Sequence, residues 1–193
     1  MLFRALRRKS PVTARVGAAR YGVLAVLPLK AGDAEIVEGF ARPLREKLVA
    51  SALGDLVGYK LREGRSGEPA GLELHLQLAS AHPRALQSVG NMLNDMDAPV
   101  GSTIEFTETG QRHLFGRTEG VAVEIGAGVD WLAFAEAAVE TLAGDAVYQG
   151  SREVAGRRRL YFYGENATTI ATTIRAAAQL DPRLADVEAH RLT

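Results

Sequence analysis

The sequence predicts an α+β protein made of two tandem βαββαβ units, antiparallel sheets with helices on one face, and three observations lead there. The first is an internal repeat: Gly54-Asp55-Leu56-Val57-Gly58-Tyr59-Lys60-Leu61-Arg62-Glu63 recurs as Gly144-Asp145-Ala146-Val147-Tyr148-Gln149-Gly150-Ser151-Arg152-Glu153, with Gly, Asp, Val, Arg and Glu in register. Two copies of one phrase mean two copies of one supersecondary unit. The second is the strict alternation of Leu72-Glu73-Leu74-His75-Leu76-Gln77-Leu78, the period of a strand with one buried face. The third is the helical spacing of apolar residues before and after each copy of the phrase.

The elements follow in order. Residues 1–19 are Arg-rich, show no sustained period and read as a basic flexible arm. Residues 21–29 read as a buried strand, and Asp33 can cap the helix that follows by accepting bonds from its first amides. Ile36, Val37, Phe40, Leu44 and Leu48 form that helix's apolar stripe, with Pro43 inside it, so the helix should kink or restart there. Gly54 stops the helix. Residues 56–62 form a strand, residues 63–71 a turn-rich loop and residues 72–78 its hairpin mate. Pro83 opens a second helix carrying Leu86, Val89, Leu93 and Met96, and residues 102–106 close the unit.

The second half repeats the order. Residues 121–125 are a strand, Asp130 caps a helix carrying Leu132, Ala135, Val139 and Leu142, and Gly144 ends it. Residues 146–153 and 158–163 form a hairpin, residues 167–179 a helix with Ile170, Ile174 and Ala178 as its stripe, and residues 186–192 the last strand. The expected organisation is thus an arm (1–19), a first unit (20–110), a polar linker (111–120) in which Leu114 and Phe115 dock against one half, and a second unit (121–193). Each unit has the ferredoxin-like order, two helices covering one face of a four-stranded antiparallel sheet. Units of roughly 80 to 90 residues bury too little surface alone, so packing of one half on the other should contribute to stability.

Composition narrows the function. With 47% hydrophobic residues and no cysteine, the chain is globular and cannot use disulfides, thiolate nucleophiles or Cys-ligated metals. The basic N-terminus is not followed by the apolar stretch of a secretory signal, and no run approaches the roughly 20 apolar residues that span a bilayer. A cytoplasmic protein without a membrane span is the expectation. Net charge is zero, yet residues 1–30 hold seven Lys or Arg and no Asp or Glu. The remainder is mildly acidic, which argues against a nucleic-acid partner.

Gly126-Ala127-Gly128-Val129-Asp130-Trp131 sits between strand and helix, but bulky Trp131 replaces the third small residue of a dinucleotide fingerprint and no parallel crossover follows, so it reads as a turn and cap. His75, His82, His113 and His190 lack metal-ligand spacing. Asn94-Asp95-Met96-Asp97 lacks the glycine and distal Glu of a calcium loop. Glu63 and Glu153 recur by duplication, with no acid/base asymmetry. No catalytic residue, metal or cofactor is expected.

The helix-free faces are the better candidates. On the first sheet that face should show Glu73, His75 and Gln77; on the second, Arg159, Tyr161 and Tyr163, alternating with inward Leu160 and Phe162. Tyr and Arg are enriched at interface hot spots, so Arg159, Tyr161, Tyr163, Glu73 and His75 are candidate partner-binding residues. The competing explanation is that the two sheets, or a dimer mate, cover these faces. Arg157-Arg158-Arg159-Leu160-Tyr161-Phe162-Tyr163 lacks the Gly-aromatic spacing of RNA-recognition sheets.

The phrase Leu160-Tyr161-Phe162-Tyr163-Gly164-Glu165-Asn166-Ala167 with the closing Val187-Glu188-Ala189-His190 resembles small bacterial ferredoxin-like domains of uncharacterised or immunity type. The first half, from Leu53-Gly54-Asp55-Leu56-Val57-Gly58 to Ala98-Pro99-Val100-Gly101-Ser102, is similar to domains of bacterial polymorphic-toxin immunity proteins, and the fold order also resembles the ribonuclease E inhibitor B family. The resemblance covers about residues 20–193 and implies a non-catalytic protein that binds and inhibits a cognate toxin or enzyme. It carries over no site residue. The alternative expectation is a regulatory protein that senses a small molecule held between its paired units; a homodimer fits either.

Overall fold

The computed structural model describes residues 20–64, 67–126, 128–180 and 187–192. The arm expected at 1–19 and the beginning of the last strand at Asp186 lie outside the described residues, as does the Asp33 side chain assigned a capping role. The described residues form β1 (Tyr21–Leu27), α1 (Asp33–Ile36), a π-helical turn (Val37–Ala41), α2 (Arg42–Ala50), β2 (Gly54–Glu63), β3 (Pro69–Leu78), α3 (Pro83–Asn94), β4 (Ser102–Phe106), β5 (Arg112–Phe115), β6 (Glu119–Ile125), α4 (Trp131–Leu142), β7 (Ala146–Val154), β8 (Arg157–Gly164), α5 (Ala167–Leu180) and β9 (Glu188–Arg191).

They build two antiparallel sheets, one of five strands in the order β2-β3-β1-β4-β5 and one of four in the order β7-β8-β6-β9. The duplication is thereby visible in space: β1 and β3 are central in the first sheet as β6 and β8 are in the second. Alternation in β3 does what its period requires. Leu72, Leu74, Leu76 and Leu78 are all buried, opposite Leu27, Ala25, Val23 and Tyr21 of β1. Each such leucine contributes roughly 1.5–3 kcal/mol of transfer free energy, so the row holds the sheet in one register.

The kink expected at Pro43 is a widened turn. Proline has no amide proton and clashes with the carbonyl four residues back; here the Arg42 amide bonds instead to the Val37 carbonyl, and Pro43 falls in the first turn of α2. Phe40, Leu44 and Leu48 stay buried throughout.

Two expectations are corrected. The segment read as a linker contains β5, paired with β4 through Ser102↔Phe115 and Glu105↔Arg112, so the first sheet gains a fifth strand. Phe115 is buried in the first core as expected, while Leu114 faces out at 70% exposure. In α4 the buried stripe is Phe134, Ala135, Ala138 and Leu142, whereas Leu132 and Val139 are 52% and 41% exposed. An Ala-rich helix offers two apolar stripes about 100° apart, and the larger Phe134 decides which one packs. Asp130 does cap α4, accepting from the Leu132 and Ala133 amides.

Candidate functional site

The two units meet through the helix-free face of the second sheet. Leu160 and Phe162 of β8 turn inward into the second core with α4 and α5, while Tyr161 and Tyr163 turn the other way and join the buried cluster of the first unit. They are 0% and 1% exposed. The Tyr163 hydroxyl accepts a 2.7 Å hydrogen bond from the Lys30 amide, and its ring lies where a Cβ on Gly120 would come within 2.7 Å, so the facing strand needs glycine there. One step along β7, the ladder slips between Tyr148 and Ser151. The slip turns the Gln149 carbonyl to the Gly32 amide at 2.9 Å, and Gly150, with φ +92°, comes close against Gly32 and Glu35. A β-bulge is a common means of re-aiming a strand in this way. The second copy of the repeated phrase therefore carries a docking bulge.

Charge clasps the rim of this junction. Lys30 Nζ and Arg159 Nη1 both reach Glu68 Oε1, at 2.9 and 3.0 Å, and Arg159 also binds Glu124 through two of its nitrogens, with Arg157 at 3.1 Å from the other Glu124 oxygen. Burial alone would raise the Glu68 and Glu124 carboxyls, but the guanidinium and ammonium groups around them outweigh it and hold both below the ordinary carboxylate value. Burial raises the Tyr161 and Tyr163 phenols. Among the described residues the buried Tyr161 hydroxyl has no hydrogen-bond partner. Arg152 and Glu63, from opposite copies of the repeat, approach to 3.9 Å.

Beside Tyr163 the junction opens into a cleft of about 510 Å³. Asp97, Arg117 and Thr118 wall it from the first unit and the connecting segment; Asp145, Val147, Glu165, Thr169 and Ile170 wall it from the second, with Tyr163 between. Asp97 has φ +60°, and its carboxylate pairs with Arg117 at 3.2 Å. The Thr118 hydroxyl donates to the Asp97 carbonyl at 2.7 Å, and Gly116, with φ +104°, lets the chain pass within Cβ-excluding distance of Pro99. These contacts pin the connecting segment to the first unit and so fix the cleft wall.

The candidate partner-binding residues divide into two groups. Arg159, Tyr161 and Tyr163 point away from α4 and α5, as the alternation predicts, but they are consumed in the intramolecular junction. They are therefore corrected from partner anchors to elements of the fold, because the first unit's core encloses the two rings, Lys30 reaches Tyr163 and Glu68 reaches Arg159. Glu73 and His75 do lie on the helix-free face of the first sheet, with His75 exposed and Glu73 half-buried near Arg62 at 3.6 Å. Half-buried Leu24 and Val26 lie beside them on β1. The two groups are on different surfaces. Sequence reasoning missed the cleft, whose residues come from strand ends and connecting turns far apart in the chain, although Gly144 to Val147 of the repeated phrase and the candidate residue Tyr163 line it.

Among the described residues no helix is long and apolar enough to cross a membrane, and no group of three metal-ligating side chains is assembled. No protein-family model and no curated protein matches the chain. Among solved structures it is similar to an unknown protein from Galdieria sulphuraria, at 13% identity over 90% of this chain and 99% of that one with a TM-score of 0.32. It is also similar to a protein described as "putative glycine cleavage system transcriptional repressor", at 11% identity over 90% of this chain and 96% of that one with a TM-score of 0.31. Likenesses at this level carry no argument about activity.

Proposed function

We propose that the chain is a non-catalytic regulatory protein that senses a small molecule held in the cleft between its paired units. The observation that supports this reading is the cleft's double ancestry: one concavity of about 510 Å³ takes walls from both units, so an occupant touches Asp97 and Arg117 on one side and Asp145 and Glu165 on the other. That volume is in the range of small-molecule sites, which favour domain junctions. An occupant bridging both walls stabilises their relative placement, and a placement that depends on ligand is what a sensor needs. On this reading the protein works in the cytoplasm.

Thermal melting against a panel of small polar molecules tests the reading. A true ligand at a hundredfold excess over its Kd adds about 2.7 kcal/mol of stability. Val147 is 43% exposed and lines the cleft, so Val147→Trp should fill the space without unfolding the chain and abolish the ligand-induced rise. A rise that persists in this variant would place the ligand elsewhere.

A second reading, that of an immunity protein occluding a toxin, is favoured by the helix-free face of the first sheet, where Glu73, His75 and Gln77 flank half-buried Leu24 and Val26. A partner would dock there instead of on Tyr161 and Tyr163; a homodimer would use the same face. Co-purification with the product of the adjacent gene, lost in a Leu24→Glu, His75→Glu variant that melts normally, would support it.

A further inference from the structure

We infer that two copies of this chain pair through the helix-free face of the first sheet, β1 of one lying over β1 of the other. This pairing does not depend on what the cleft holds.

β1 is apolar on both faces. Val23, Ala25 and Leu27 are buried in the first core, while Leu24 and Val26 between them turn to the helix-free side and are only half-buried. A strand apolar on both faces expects cover on both. Beside them on that side lie Glu73 and His75 of β3, Thr103 and Glu105 of β4, and Arg112 and Leu114 of β5. None of these is buried, and Leu114 is 70% exposed.

The order of side chains along one rung selects the occupant. Leu24 stands opposite His75 on one side and Glu105 on the other, and the rung continues to Gly58 beyond His75 and to Arg112 beyond Glu105. A second copy, turned by a two-fold axis along β1, presents the same rung in reverse. Leu24 then meets Leu24, each His75 meets the other copy's Glu105, and each Arg112 comes over the other copy's Gly58. A Cβ on Gly58 would meet nothing within 4 Å, so the space above it can take a long side chain. On the next rung Val26 meets Val26, Glu73 meets Thr103, and Leu114 lies along the aliphatic stem of Lys60. A surface that is complementary to itself in this way makes the isologous contact of a closed dimer.

Size sets the strength. Five strands of four to ten residues, spaced about 4.8 Å apart, offer about 550 Å² per copy and about 1,100 Å² in all, the lower end for a specific interface. The dimer is therefore reversible and depends on concentration.

Light scattering of the full chain from micromolar to millimolar concentration tests the inference. The mass should rise from that of one chain towards that of two. His75→Glu sets carboxylate against carboxylate and Glu105→Arg sets a guanidinium against His75, so each should weaken dimerisation at least tenfold, with melting in dilute solution like that of the parent. Mixing the two variants should restore the dimer, because one contact then joins the introduced carboxylate to the introduced guanidinium and the other keeps the parental pair. A chain that stays single at millimolar concentration overturns the inference and leaves the face to a foreign protein. Dimers that withstand both changes, or variants that do not recover on mixing, overturn the placing of β1 on β1.

Discussion

The Tyr163 hydroxyl accepts a hydrogen bond of 2.7 Å from the Lys30 amide across 133 residues of sequence. This bond joins the last stretch of β8 to the chain leaving β1. It ties the two units together at the point where the cleft begins, because Tyr163 is also among the residues that line that cleft.

Tyr163→Phe therefore keeps the ring but leaves the Lys30 amide without its acceptor. A buried donor left unmade costs about 1–3 kcal/mol, and chemical denaturation should show a loss in that range with an unchanged slope against denaturant. The companion change, Tyr161→Phe, removes a buried hydroxyl that has no hydrogen-bond partner among the described residues. It should be neutral or stabilising by up to about 1 kcal/mol. A loss as large as that of Tyr163→Phe would mean that the Tyr161 hydroxyl has a partner after all.

Gly120→Ala should be costly in a different way. The added Cβ would meet the Tyr163 ring at 2.7 Å and Leu192 at 2.8 Å, and overpacking of this kind costs about 1–3 kcal/mol. Combining it with Tyr163→Ala should recover part of the loss, since the two sites are in contact and need not add. Strict additivity in the double mutant would contradict the packing described.

Acid should loosen the clasp. The Glu68 and Glu124 carboxyls are held below their ordinary value of 4.5 in the folded chain, the cations around them outweighing burial. In the unfolded chain both return to the ordinary value, so unfolding takes up protons in the interval between the two states. Their contribution is complete above the unfolded value and is lost as pH falls through the folded one. Stability measured from neutral pH downward should fall through that window, and Glu68→Gln should flatten the fall. An unaltered pH profile in the variant would contradict the clasp.

What the sequence made legible was whatever repeats locally. The leucines of β3 and the Ile170–Ile174–Ala178 stripe of α5 are buried as their periods require, and the outward turn of Tyr161 and Tyr163 followed from alternation with Leu160 and Phe162. Alternation states which way a side chain points and is silent on what it meets. The rings' cover comes from the first unit's core, with Lys30 on the Tyr163 hydroxyl and Glu68 on neighbouring Arg159, more than ninety residues earlier, so an open partner surface and a sealed junction gave the same local pattern. β5 was hidden because four residues, Arg112 to Phe115, are too few to display a period within a polar stretch. The cleft was hidden because strand ends and turns build it, and these display no period.

The central claim is that the helix-free face of the second sheet is spent on the chain's own first unit. Denaturant unfolding of the purified protein with Tyr161→Ala, with no partner present, tests it most directly. Truncating a buried aromatic of this size should cost about 3–5 kcal/mol, and the account predicts a loss of that order. Unfolding indistinguishable from the parent chain would show that Tyr161 stands free for a partner, and would contradict the account.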